Sequence, residues 1–284
     1  MAITRVGIVG SGIMGAGIAE VVATSGYEVT LRTRATESAT SVRQVLERSL
    51  ACQVEKGRRD GADADAALAR VITTTELTDL ADCDLVIESV VEDLDVKRAL
   101  FTELDDLVAP DALLTTNTST LAVIEMAMAA THPERVCGLH FFNPAPTMSL
   151  IEVVRPLTAS DATIAEAIAF AASCGKRPVE VADRAGFIVN SLLFPYLNNA
   201  VRMLESGVAS RDDIDAAMQG GCNFPMGPLT LLDLVGLDTS TAILDALYEE
   251  FRDPNYAPVP RLRRMVSAGQ LGRKTGRGFY DYDS

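Results

Sequence analysis

Apolar residues run in short unbroken blocks through the first two thirds of the chain and recur at helical spacing through the last third. "RVGIVG" is a compact apolar run ending in Gly10; "MGAGIAEVVATSG" then takes up helical spacing until Gly26, and "EVTLR" opens the next block. Strand, glycine turn, helix, strand is the unit from which parallel sheets are built. The alternation continues with helical spacing over 38–55, a polar Ala-rich segment near 63–70, and the blocks "RVITTT", "DLVIESV", "LLTTN", "RVCGLHFF", "LIEVVR" and "RPVEVA". Stretches 95–107 and 163–173 between those blocks again have helical period, so the pattern predicts a doubly wound sheet.

Beyond Gly186 only helical patterns remain, over 187–205, 210–219, 229–235, 239–250 and 261–268, with Ser210 and Asp213 spaced as a capping box. The change of character falls at "ADRAG", Ala182 to Gly186. The fold class expected is therefore α/β, with a Rossmann-type doubly wound domain over 1–184 and an all-helical domain over 185–284. "RDPNYAPVP" reads as a surface loop inside the second domain.

Composition narrows the partners. A chain of 284 residues with 48% hydrophobic content buries a sizeable core and suits two domains. No Trp, 5% aromatic residues and a net charge of −14 exclude a base-stacking platform and repel a phosphate backbone, so nucleic acid is not an expected partner. Five scattered cysteines, odd in number and never spaced C-x-x-C, fit reduced thiols in a cytoplasmic setting. The run Val6 to Ala23 carries Glu20 as its single charge and has the look of an export signal, but its glycines and its continuation into further regular structure argue against one. No other stretch approaches the ~20 apolar residues of a membrane span.

Gly10, Gly12 and Gly15 form G-x-G-x-x-G between a strand and a helix. The first glycine makes the tight turn, the second admits a pyrophosphate to the backbone, and the third lets helix and strand pack, while the helix N-terminus, with Ile13 and Met14 in its first turn, attracts phosphate. A ligand so held lies beyond the carboxyl ends of the strands, which brings "ESVVED", "NTST" and "GLHFFNP" to one cleft. His140 ends a buried strand and Glu152 lies on the next. A histidine tuned by a carboxylate suits proton transfer near neutral pH; a core histidine satisfied by a neighbour is an equally good reading of the residues alone. His132, before a proline, reads as a surface residue. Asn117, Ser119 and Thr120 of "NTST" suit hydrogen bonding to cofactor or substrate, and equally helix capping.

Taken in order, "GSGIMGAGIA", "NTST", "GLHFFNPAPTMSLIEVV", "GFIVNSLLFPYLNNA", "PMGPLTLLDLVGLD" and "GRKTGRGFYDY" closely resemble the L-3-hydroxyacyl-CoA dehydrogenase family, above all its short bacterial 3-hydroxybutyryl-CoA dehydrogenases. The resemblance covers nearly the whole chain. It implies hydride exchange between an acyl-CoA substrate and NAD(P), with His140 as general base and Glu152 as its orienting carboxylate. It further implies that Ser119 and Asn190 position the substrate's 3-oxygen and the nicotinamide, that Glu92 and Lys97 line the cofactor site, and that Ser49 and Lys56 contact the coenzyme A portion. Lys56, Arg58 and Arg59 would bring positive charge to that anionic tail. The helical domain would supply the dimer contact, and domain closure would join Asn190 to His140. Rivals are an L-gulonate 3-dehydrogenase-like enzyme and a non-catalytic dinucleotide sensor on the same scaffold.

In NAD-using relatives the strand matching "EVTLR" ends in an aspartate that binds the adenosine ribose; here Thr33 falls on that position, flanked by Arg32 and Arg34. Loss of the acid and gain of two arginines predict NADP(H) in preference to NAD(H), the arginines clasping the 2′-phosphate.

Overall fold

The computed structural model describes residues 3–282, which divide into two compact units with the boundary between Arg184 and Ala185. In the first, β1 (Arg5–Val9), α1 (Ile13–Thr24), β2 (Glu28–Arg32), α2 (Thr36–Glu55), α3 (Gly61–Ala69), β3 (Val71–Thr74) and β4 (Leu85–Glu88) follow one another. Then come α4 (Leu94–Leu107), β5 (Leu113–Thr116), the short α5 (Val123–Ala127), β6 (Val136–Phe141), β7 (Leu150–Arg155), α6 (Asp161–Ser173) and β8 (Arg177–Ala182).

The strands form one sheet in the order β3-β2-β1-β4-β5-β6-β7-β8. Pairing is parallel from β3 to β6; β7 then runs antiparallel to β6, and β8 parallel to β7. Every residue of β4, β5 and β6 is buried, as strands covered on both faces require, which is why they read as unbroken apolar blocks. Ile8, Ile87, Leu139 and Ile151 join Ile18 and Val22 of α1 and Ile164 and Phe170 of α6 in one core cluster. Order reverses between β1 and β4, the switch point where such sheets hold ligands.

The second unit contains α7 (Val189–Glu205), α8 (Arg211–Cys222), α9 (Pro228–Val235), α10 (Leu237–Phe251) and α11 (Pro260–Ser267), packed around Phe194, Leu197, Leu229, Leu244 and Leu262. Two buried aspartates explain its sequence motifs. Asp215 caps α9 through the N–H groups of Leu229 (2.8 Å) and Thr230 (3.0 Å), and Asp233 accepts from the N–H groups of Phe279 and Tyr280, each at 2.9 Å. A Cβ on Gly278 would lie 2.0 Å from the Asp233 carboxylate, so the "GRGFY" strap needs glycine there. No helix among the described residues is long and apolar enough to cross a membrane.

Candidate active site

Register places the two central groups. His140 of β6 lies directly opposite Glu152 of β7, and His140 Nδ1 is 2.8 Å from Glu152 Oε2. An ionised carboxylate only accepts, so Nδ1 carries the proton of the neutral ring and Nε2 is left to accept one. Ser119 Oγ lies 3.0 Å from that Nε2. Both His140 (3% exposed) and Glu152 (0%) are buried, and the Phe142 ring packs against the imidazole with centroids 4.5 Å apart. A hydroxyl, an imidazole base and a shielded carboxylate in line can move one proton to or from a substrate oxygen.

The loop that carries Ser119 is held by a second carboxylate. Glu92 Oε1 accepts from the N–H groups of Ser119 (3.0 Å) and Thr120 (3.2 Å) and from the hydroxyls of Thr118 and Thr120. Burial works to raise the Glu92 carboxyl, but Lys97, the Thr118 hydroxyl and the Ser119 N–H outweigh it and hold the group below the usual glutamate value. Lys97 Nζ lies 3.2 Å from Glu92 Oε2 and 2.7 and 2.8 Å from the two oxygens of Glu88. Lys97 is 1% exposed and Glu88 is 0% exposed. Lys97 and Glu88 thus form a buried ion pair, with the 39%-exposed Glu92 at its solvent edge. Glu88 also accepts from the Val90 N–H and the Thr116 hydroxyl, each at 2.6 Å, so it ties the ends of β4 and β5 together. Asn117 Oδ1 accepts from the Phe141 N–H at 2.8 Å, which commits its carbonyl to fixing β6 and leaves its amide NH2 to serve a ligand.

The glycine turn fits a dinucleotide. Gly10 has φ +114°, and a Cβ there would lie 2.2 Å from the Ser89 carbonyl oxygen; one on Gly15 would lie 1.9 Å from that of Gly10. A Cβ on Gly12 would meet nothing within 4 Å, so glycine here keeps bare backbone open to a phosphate. Gly12 is also the N-cap of α1, with no side-chain cap and no acid in the first turn, which leaves the helix's positive end available. Ile13 is 79% exposed beside it, whereas Met14 packs against the core.

A cleft of about 940 Å³ extends from Gly12 and Ile13 along α2, lined by Ser49, Gln53, Lys56 and Arg58, with the loop Asn143–Thr147 also forming its wall. Glu20 of α1 reaches it as a buried carboxylate, raised above the usual value by burial against the opposing influence of Ser49, Gln53, Arg59 and Lys176. At the end of β2, Thr33 is fully buried and its hydroxyl donates to the Ala35 carbonyl at 2.9 Å. Arg32 Nε donates to the Thr75 carbonyl at 3.2 Å, because β2 pairs with β3 in a register that puts Arg32 beside Thr74. Of the two arginines expected to clasp a phosphate, Arg34 alone is exposed. His132 is half-exposed, 3.6 Å from Glu134. Asn190 is buried near the start of α7 in the second unit.

The sequence named the segments that hold Glu88, Glu20 and the start of the loop 143–148 but gave none of them a role in the site. A lone acid inside an apolar block was the available signal for the first two.

Proton transfer beside a dinucleotide turn is the chemistry of a nicotinamide-dependent dehydrogenase, and comparison with known proteins gives the same class. The chain belongs to the 3-hydroxyacyl-CoA dehydrogenase family: the profile of the family's NAD binding domain matches residues 5–184 and that of its C-terminal domain residues 186–282. It is 50% identical over 283 residues to a 3-hydroxybutyryl-CoA dehydrogenase of Mycobacterium tuberculosis, covering 99% of each chain. Among solved structures, M. tuberculosis FadB2 is similar with a TM-score of 0.98 at 50% identity, covering 99% of this chain and 100% of that one. The (S)-3-hydroxybutyryl-CoA dehydrogenase PaaH1 from Ralstonia eutropha gives 0.96 at 40% identity, covering 100% of both.

Proposed function

We propose that the protein interconverts (S)-3-hydroxyacyl-CoA and 3-oxoacyl-CoA thioesters, 3-hydroxybutyryl-CoA and acetoacetyl-CoA among them. The observation that carries this reading is the chain of contacts Ser119 Oγ, His140 and Glu152, at 3.0 and 2.8 Å, at the strand ends of a dinucleotide fold. When bound, the nicotinamide ring takes or gives the hydride. On oxidation, His140 Nε2 takes the 3-hydroxyl proton; on reduction, the imidazolium returns a proton to the 3-oxygen. Glu152 stabilises the imidazolium in a site from which water is excluded by burial, and Ser119 orients the oxygen that reacts. Asn190 is assigned to the substrate by its match to the family's motif, and the helical unit to substrate binding and to a homodimer contact.

Ser49, Lys56 and Arg58 in the cleft support a coenzyme A thioester over a free acid, since they offer hydroxyl and cationic groups to an anionic tail on a protein of net charge −14. For the cofactor, NADP(H) preference is supported by Thr33 in the place of the ribose-binding acid and by exposed Arg34 beside it; Arg32 joins only by leaving Thr75. The cysteines, all free, suit a cytoplasmic setting.

The test is oxidation of reduced cofactor with acetoacetyl-CoA and with free acetoacetate. Binding energy from the remote tail orients the reacting carbonyl, so kcat/KM should favour the thioester by at least ~10². Equal activity on the free acid, or a preference for L-gulonate in the reverse direction, would place the protein with dehydrogenases of free hydroxy acids.

A further inference from the structure

Lys176 stands in the turn between α6 and β8, and its ammonium donates to three main-chain carbonyls of one loop: Ala145 at 2.8 Å, Pro146 at 3.3 Å and Met148 at 2.7 Å. That loop joins the strand of His140 to the strand of Glu152, and its residues Asn143–Thr147 line the cleft. Pro144 and Pro146 have no N–H to give. Within the loop the Thr147 and Met148 N–H groups both go to the Pro144 carbonyl, at 3.0 and 3.1 Å. The carbonyls of 145, 146 and 148 therefore turn toward a donor from elsewhere, and an ammonium with three protons satisfies all of them from one point. Such charge-assisted bonds are about twice as strong as neutral ones. From the other side, Gly17 of α1 lets the loop sit directly on the helix, since a Cβ there would lie 3.2 Å from Ala145 Cβ.

We infer that Lys176 is a positioning residue that holds the β6–β7 loop as the fixed wall of the cleft against which the acyl-CoA binds. The inference rests on the reading of that cleft as the thioester site. The separation of roles is physical. His140 and Glu152 are held by strand register and by each other, so proton transfer survives a loosened loop. The width of the cleft between the loop and α2, which carries Ser49 and Lys56, does not.

Lys176→Met keeps the apolar stem and removes the donors; Lys176→Arg keeps charge and donors. In the unliganded protein, hydrogen exchange at the Thr147 and Met148 amides should accelerate about tenfold or more in Lys176→Met, with the peptide 136–141 unchanged, in line with the loss of one charge-assisted hydrogen bond or more. In steady state the KM for acetoacetyl-CoA should rise about tenfold, while kcat and the cofactor KM stay within about twofold. Lys176→Arg should recover most of both effects. Unchanged exchange in the loop overturns the tether, as does exchange that accelerates equally throughout the unit. Faster loop exchange with an unchanged acetoacetyl-CoA KM overturns the role in binding. Wild-type protein inactive on acetoacetyl-CoA would instead bring down the functional reading and the binding role with it, while the exchange result would still judge the tether.

Discussion

Replacing Lys97 by methionine removes one buried ammonium and leaves two carboxylates behind. Methionine fills the space of the stem, so the change is mainly electrostatic. Glu88, 0% exposed, would lose its contacts at 2.7 and 2.8 Å and keep only the Val90 N–H and the Thr116 hydroxyl. Breaking a buried pair by removing one partner costs about 3–5 kcal/mol, a large share of the ~5–15 kcal/mol that stabilises a typical domain. Removing both charges should be gentler, so Glu88→Gln combined with Lys97→Met should unfold at higher urea than Lys97→Met alone, by about 1–3 kcal/mol of recovered stability. Glu92 would also lose its cation at 3.2 Å, and since it holds the Ser119 N–H, turnover should fall in both proteins even where they remain folded. Urea titrations of the four members of the cycle, followed by assays in the folded range, supply the numbers. A loss below about 1 kcal/mol in Lys97→Met, with additive effects in the double variant, would mean that Lys97 is a solvated residue at a helix start and that the network does not exist in solution.

Two further substitutions probe the cleft at Glu20 and the end of β2 at Thr33. Burial raises the Glu20 carboxyl, so the folded state binds its proton more tightly than the unfolded chain does; the stability it gives is full below the usual value of 4.5 and is lost as pH rises through the raised one. Glu20→Gln does not titrate, so its melting temperature should gain on wild type as pH rises above 4.5; a difference that stays constant with pH would contradict the burial argument. Thr33→Asp restores a ribose acceptor and should shift the ratio of kcat/KM for NADPH over NADH toward NADH by about 10 to 100-fold, from a wild-type ratio above one. A wild-type ratio below one, or no shift, would show that this turn does not read the phosphate.

The apolar blocks and the glycine turn made the sheet legible, because strands buried on both faces leave no polar interruptions. Direction is not written in such blocks, so the reversal of β7 was invisible in the sequence, although it is what sets Glu152 opposite His140 across twelve residues of chain. The glycines and His140 announced themselves by residue type and by their place at strand ends. Lys97 did not: among the acids of "VEDLDVK" it looks like an ordinary helix start, and only the approach of β4 and β5 shows that Glu88, itself held by the Thr116 hydroxyl, closes on it. Arg32 and Arg34 look equivalent in sequence, yet pairing of β2 with β3 gives one of them a carbonyl at Thr75 and leaves the other exposed. Lys176 carried no signal at all, since its partners are backbone carbonyls, which every residue has.

The central claim is that His140, set between Ser119 and Glu152, takes the proton of the substrate's 3-hydroxyl and returns it in the reverse direction. Its most direct test is the turnover of His140→Ala with acetoacetyl-CoA at saturating reduced cofactor, set beside cofactor binding to the same variant by fluorescence titration. A positioned general base contributes about 10² to 10⁴-fold, so kcat should fall by that factor while the cofactor Kd stays within about twofold of wild type. Turnover near the wild-type rate, with cofactor still bound, would contradict the assignment of the proton to this histidine.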